Sequence, residues 1–224
     1  MRLVVFDMDG TLIDTAGLIA ETMAQTFSNV GLAPPGDRAA RSVIGLSLPV
    51  AMHRLTGNDD EVLIEKLVST YRETYRDAIA GGVDREPLYP GARDALDRLR
   101  NQDETLLGVA TGKALHGVRR ILDLHALSGH FATLQTPDHN PSKPHPGMLI
   151  SAMRETGVGP QRTVMIGDTT YDVQLGRAAG VATIGVAWGY HSPADLRDAG
   201  ADVVIEDFDG MDAAIDGLVS KSDA

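Results

Sequence analysis

Two aspartates one residue apart, Asp7 and Asp9, close the apolar run Leu3-Val4-Val5-Phe6, and Gly10-Thr11 follow at once. Side chains alternate along a strand, so residues two apart share a face. The two carboxylates can therefore meet at one spot, at the carboxyl end of a strand. Carboxylates placed together repel unless a cation or a shared proton holds them, and chemistry is the usual reason to bear that cost. Gly10 permits a tight turn and lets the backbone approach a ligand closely.

Three later segments carry further polar groups suited to chemistry. Val109-Ala110-Thr111-Gly112-Lys113 ends a strand in a hydroxyl and a glycine. Thr111 reads equally well as a helix N-cap or as a phosphate contact, with the Gly112 N–H at a helix start. In Pro141-Ser142-Lys143-Pro144-His145-Pro146, the prolines stiffen the backbone around Lys143 and fix its ammonium. Met165-Ile166-Gly167-Asp168 ends another strand, and Asp172 follows four residues on. Oxygen ligands of this kind suit Mg²⁺. Helix capping is the competing account, and it explains Asp168 better than Asp172. The seven histidines show no metal-ligand spacing.

These segments need elements to position them. A first strand is expected over about residues 3–7. Residues 15–80 read as nearly continuous helix, broken at 31–36 and near Gly45 and Gly57. Leu63, Leu67, Tyr71, Tyr75 and Ile79 recur every fourth residue, the stripe of an amphipathic helix whose tyrosines are expected to pack. Beyond Tyr89-Pro90-Gly91, helices over 91–101, 115–124 and 147–156 alternate with strands over 105–111, 131–136, 163–167, 181–186 and 202–205. That alternation predicts an α/β fold, a doubly wound parallel sheet covered on both faces. The helical block interrupts it after the first strand. The expected division is a catalytic core of residues 1–14 and 88–224 with an all-helical cap, residues 15–87, inserted between hinges at 14–17 and 84–91. Open α/β sheets bind ligands beyond the carboxyl ends of their strands, where all four segments lie.

The 224 residues, 43% of them hydrophobic, suffice for one good-sized core or a core with a smaller partner domain. A net charge of −11 argues against nucleic acid or an anionic membrane as partner. With no cysteine, disulfides, thiolate metal sites and a cysteine nucleophile are excluded. No apolar run is long enough to span a bilayer, and the first strand begins where a signal peptide would stand. A cytoplasmic enzyme is expected, of unassigned oligomeric state.

The order Asp7-Met8-Asp9-Gly10-Thr11, then Thr111, then Lys143, then Gly167-Asp168 through Asp172 resembles the haloacid-dehalogenase superfamily of phosphohydrolases over nearly the whole chain. Its pattern is closest to the phosphoglycolate-phosphatase-like branch. The resemblance implies a Mg²⁺-dependent phosphatase acting on a small phosphorylated metabolite through an aspartyl-phosphate. Asp7 would be the nucleophile, and Asp9 would protonate the leaving group and then take a proton from water. Asp9 would need surroundings that let it hold a proton near neutral pH. Asp7, Asp9 (through its backbone carbonyl) and Asp168 would hold the metal, with Asp172 in support, and Thr111, Gly112 and Lys143 would seat the phosphate. A carboxylate and one phosphate charge about 4 Å apart repel by roughly 4 kcal/mol at an effective dielectric near 20, which Mg²⁺ and Lys143 would offset. Gly112 stands where relatives often carry Asn, so one side-chain contact to phosphate is absent. Arg41, Gly45 and His53 lie in the insert within possible reach of substrate, and Trp188 near the mouth is expected to pack.

Two other readings use the same residues. A sugar phosphomutase needs a second phosphate site in the cap, where no basic cluster is evident. A phospho-acceptor receiver domain would lack the helical insert and would carry its acceptor on a later strand.

Overall fold

The computed structural model describes residues 1–80 and 85–219. Six strands, β1 (Arg2–Phe6), β2 (Thr105–Ala110), β3 (Thr133–Gln135), β4 (Thr163–Gly167), β5 (Ala182–Val186) and β6 (Val203–Ile205), form one sheet in the order β3-β2-β1-β4-β5-β6. Every pairing is parallel, as the alternation of elements predicts. The crossover from β1 to β2 begins with the four helices of the insert: α1 (Ala16–Val30), α2 (Asp37–Ser42), α3 (Leu48–Thr56) and α4 (Glu61–Ile79). Helix α5 (Ala92–Arg100) completes that crossover, and α6 (Leu115–Leu124), α7 (Gly147–Thr156), α8 (Thr170–Ala179), α9 (Pro193–Asp198) and α10 (Met211–Val219) follow. Gly17 lies inside the first turn of α1, so the expected first hinge is shorter than 14–17. Residues 81–84, which include the start of the expected second hinge, lie outside the described residues. No described helix is long and apolar enough to cross a membrane.

Alternation along the strands decides which helices each side chain meets. Val4, Phe6, Leu107, Val109, Val164 and Ile166 pack in one core with α5, α6 and α10 side chains. Leu3, Val5 and Met165 face the other way, against α7 and α8. Burying a side chain of this size contributes about 1.5–3 kcal/mol, and a one-residue slip of β1 would exchange its two packed faces and turn Asp7 away from α7 and α8. The helical block has its own apolar cluster, built from Met23, Phe27, Met52, Ile64 and Leu67 among others.

The chain builds β2 and β3 on one side of β1 and then crosses to build β4 on the other. A crevice opens where the strand order reverses, between β1 and β4. Asp7 follows β1 and Asp168 follows β4, so both stand at that crevice.

Candidate active site

Asp7 continues the face of β1 that carries Leu3 and Val5, the face covered by α7 and α8. Lys143 lies four residues before the start of α7, and Asp172 lies in the first turn of α8. The alternation that buries Leu3 and Val5 therefore brings Asp7 to these two groups. Lys143 Nζ lies 3.0 Å from Asp7 Oδ2 and 2.6 Å from Asp172 Oδ1. Asp168 joins from the end of β4, and one carboxylate oxygen from each of Asp7, Asp168 and Asp172 lies within 4.8 Å of the others. All four side chains are buried, Lys143 to 1% exposure.

The partners of these acids differ. Asp7 Oδ1 accepts from the Met8 N–H at 2.7 Å. Asp168 accepts from the Thr11 hydroxyl at 2.8 Å and from the Tyr190 N–H at 2.9 Å. Asp172 closes the start of α8 in a capping box with Thr169, so Asp172, not Asp168, is the acid that caps this helix. Gly10 is at φ 87°, and a Cβ there would stand 2.2 Å from Asp168 Oδ2, so glycine alone lets the turn lie against this carboxylate.

Three carboxylates and one ammonium leave a formal charge of −2 away from water. Such a cluster must take up protons or a cation. Burial, only partly offset by Lys143, pushes the Asp7 carboxyl up to about 7. Burial, with Asp172 and Asp7 adding to it, raises Asp168 well above its usual range. Burial alone would lower the Lys143 ammonium, but Asp172 and Asp7 more than reverse this and hold it charged. An all-oxygen donor set with two negative charges in excess fits a hard divalent cation such as Mg²⁺.

Asp9 occupies different ground. Its carboxylate lies outside the three-acid cluster: Oδ1 accepts from the Thr15 hydroxyl at 2.7 Å, and Oδ2 stands 3.1 Å from Lys113 Nζ. An ammonium, rather than an apolar pocket, therefore faces Asp9 Oδ2. Lys113 sits 4.9 Å from the centre of the Tyr75 ring. The Tyr75 hydroxyl donates to the buried Glu86 at 2.6 Å, and Arg120 pairs with Glu86 at 2.6 Å. Lys113, Tyr75 and Glu86 carry no functional expectation from the sequence, because the segments meet only when α4 lies over the start of α6.

Thr111 precedes α6 by four residues, and Ala114 is the N-cap. The capping account of Thr111 therefore fails; its hydroxyl accepts from the Lys113 N–H at 3.3 Å. Gly112 has a clear reason to be glycine. A Cβ there would stand 2.4 Å from the Leu46 carbonyl oxygen and 2.6 Å from that of Gly45. The backbone of the helical insert thus occupies the space an Asn side chain would need. The insert is fastened at the same edge by the Ser47 N–H, which donates to Ser142 Oγ at 2.8 Å, and by Tyr171, which donates to the Ser42 carbonyl at 2.8 Å. Gly45 lines the resulting cleft. Arg41 and His53 are not among the residues lining it: Arg41 pairs with Asp37 at 2.9 Å and His53 Nδ1 lies 3.0 Å from the Asn58 carbonyl. Trp188 donates to the Thr11 carbonyl at 3.0 Å and packs on Phe208.

A parallel sheet with acids clustered at its switch point and a helical block above defines an α/β protein with a carboxylate-rich site at the strand ends. The family model of the haloacid dehalogenase-like hydrolases matches residues 4–186, and the chain belongs to that family. It is 31% identical over 226 residues to a protein named probable phosphatase IndB from Dickeya dadantii, covering 98% of this chain and 96% of that one. It is 32% identical over 209 residues to a phosphoglycolate phosphatase from Pseudomonas putida, covering 92% and 76%. In three dimensions it is similar to a hydrolase from Pseudomonas syringae, with a TM-score of 0.86, 21% identity and coverage of 97% and 99%; at that identity the likeness concerns the fold.

Proposed function

We propose that this hydrolase is a Mg²⁺-dependent phosphomonoesterase of the cytoplasm, acting on a small phosphorylated metabolite through an aspartyl-phosphate on Asp7. The observation that carries the reading is the convergence of Asp7, Asp168 and Asp172 at the β1/β4 crevice, with Asp7 and Asp172 paired to one buried ammonium. Asp7 and Asp168 would hold the ion with the Asp9 backbone carbonyl, and Asp172 would support them. When bound, Mg²⁺ supplies the positive charge that lets an anionic nucleophile approach an anionic ester.

Asp7 attacks phosphorus and the ester P–O bond breaks. The leaving oxygen takes a proton from Asp9. Water then gives a proton to Asp9 and attacks the aspartyl-phosphate, which releases phosphate and the Asp7 carboxylate. Thr15 holds Asp9 Oδ1, so Oδ2 is the oxygen that carries the proton once its pair with Lys113 opens. A seated phosphate competes with Asp9 for Lys113 and so loosens that pair. Lys143 keeps the Asp7 carboxylate oriented, and Thr111 with the Gly112 N–H seats phosphate oxygens. We read residues 15–87 as a cap that covers the site and excludes water.

The relatives named phosphatase and phosphoglycolate phosphatase support the reaction class. The test is phosphate release from p-nitrophenyl phosphate with EDTA or with Mg²⁺. Turnover that vanishes with chelation and returns with Mg²⁺ is expected; turnover indifferent to chelation would reject the metal assignment.

A further inference from the structure

The acids open onto a cleft of about 860 Å³ between the helical insert and the sheet, lined by Asp7 and Asp9 at one end. Clefts of about 300–1,000 Å³ are the ones that bury drug-sized ligands. A two-carbon acid phosphate would fill a small part of this one.

The two sides of the cleft differ in chemistry. The helical insert contributes Ile19, Met23, Ile44, Leu46 and the rings of Tyr71 and Tyr75. Those rings stack on each other with centroids 5.8 Å apart. The core contributes polar groups, including Lys113, His116, Arg120 and Asn140. Such a slot fits a molecule with one apolar, ring-like part and one hydroxyl-rich part.

Contrary to the sequence expectation that the insert holds no basic cluster, it brings a basic pair to the cleft. Release of inorganic phosphate in the test below separates hydrolysis from a mutase, which would keep the phosphate on the sugar. Arg72 and Arg76 stand one turn apart on α4 and line the cleft while exposed to solvent, which puts them at its mouth. Lys113 is committed to Asp9 and Arg120 to Glu86. Among the described residues, Arg72 and Arg76 make no ion pair. In a chain of net charge −11, two uncommitted guanidinium groups at the mouth are suited to the polar outer edge of a bound ring.

We propose that the leaving group is a ring-bearing alcohol of nucleoside size, and that Arg72 and Arg76 read polar atoms at its outer end. This rests on the phosphomonoesterase reading and names its substrate class. Contacts far from phosphorus then contribute to turnover, as remote binding energy does in general.

The test is kcat/KM for phosphate release from phosphoglycolate, ribose 5-phosphate and uridine 5′-monophosphate, with p-nitrophenyl phosphate as a generic ester. Efficiency is expected to rise along the first three, by about tenfold or more from first to last. In R72Q/R76Q the ratio of kcat/KM for uridine 5′-monophosphate to that for phosphoglycolate is expected to fall about fivefold, chiefly through KM. A flat or reversed series overturns the size assignment while turnover of p-nitrophenyl phosphate leaves the phosphatase reading standing. A ratio that does not move in the double variant overturns the role of the arginines. No phosphate from any of the four esters overturns both readings together.

Discussion

Two lysines in this molecule each pair with a candidate catalytic aspartate, and they do so in different surroundings. Lys143 and Asp7 are each no more than 1% exposed, and Asp172 shares the same ammonium. Lys113 and Asp9 are each 12% exposed and line the open cleft. The first group has no water to replace a lost partner, so its geometry is fixed by the fold. The second can exchange its partner for water or for an incoming anion. A nucleophile must be held still between turnovers, whereas a group that gives and takes a proton must be free to change partners. The two pairs are built for those two tasks.

The sharpest way to break this contrast is to remove the nucleophile. Asp7→Asn keeps the shape and loses the attacking charge, so phosphate release should fall by about 10⁴-fold or more. Substantial residual turnover would move the nucleophile elsewhere. The next is to remove each ammonium in turn. Lys143→Met leaves buried acids unpaired, which typically costs about 3–5 kcal/mol. Lys113→Met should cost less, because Asp9 keeps the Thr15 hydroxyl and opens onto the cleft, where water can replace the ammonium. Urea unfolding of the two variants measures both, and equal losses would erase the distinction between the pairs.

Proton linkage gives a third check. The Asp7 carboxyl is held up at about 7, from an ordinary 3.8, and Asp168 is raised in the same direction. Between about pH 4 and 7 the folded chain keeps protons that the unfolded chain has released, so folding stability falls as pH rises through that window. A bound divalent cation replaces those protons. Thermal unfolding in EDTA should therefore give a Tm that drops from pH 5 to 7.5, and Mg²⁺ should flatten the drop. The gap between the two Tm curves should widen with pH, as the stabilisation by Mg²⁺ approaches about 2.7 kcal/mol at a hundredfold excess over Kd. A gap that ignores pH would separate the ion from these acids.

Much of this arrangement is legible in the sequence, and the reason is local. The ranges expected for helices 115–124 and 147–156 and for strand 163–167 are those observed, because each has a clear apolar pattern and the last two are also bounded by Pro146, Gly157 and Gly167. Strand-end placement marks Asp7 and Asp168 by the same logic. What stays hidden depends on segments far apart in the chain. The Lys113–Asp9 pair forms across the loops that follow the neighbouring strands β1 and β2, the Tyr75–Glu86 bond ties α4 to the segment before α5, and Arg72 and Arg76 reach the cleft only because α4 lies along it. The expectation that Tyr71 and Tyr75 pack is met in part: Tyr71 joins the helical cluster, yet both rings also line the cleft. Gly112 looks like a missing phosphate ligand until the Gly45 and Leu46 carbonyls are seen above it. Gly112→Asn should therefore push the insert away from the core and lower kcat/KM by about tenfold, in line with the 1–3 kcal/mol typical of overpacking. A gain in activity would mean that the side chain finds phosphate instead.

The smallest effect probes how firmly the cleft-side pair is held. Tyr75→Phe removes the hydroxyl that donates to Glu86 at 2.6 Å and that stands 3.4 Å from Lys113 Nζ. Glu86 keeps Arg120 as its partner, and the phenylalanine ring remains under the Lys113 ammonium. One hydrogen bond lost while both charges keep a partner should cost about 1 kcal/mol in stability. Because Asp9 still meets Lys113 directly, kcat/KM should change by no more than about threefold. A loss as large as that of Lys143→Met would show that the Lys113–Asp9 pair is fastened through Tyr75 as rigidly as the buried cluster. The freedom to change partners would then have to come from movement of α4 itself.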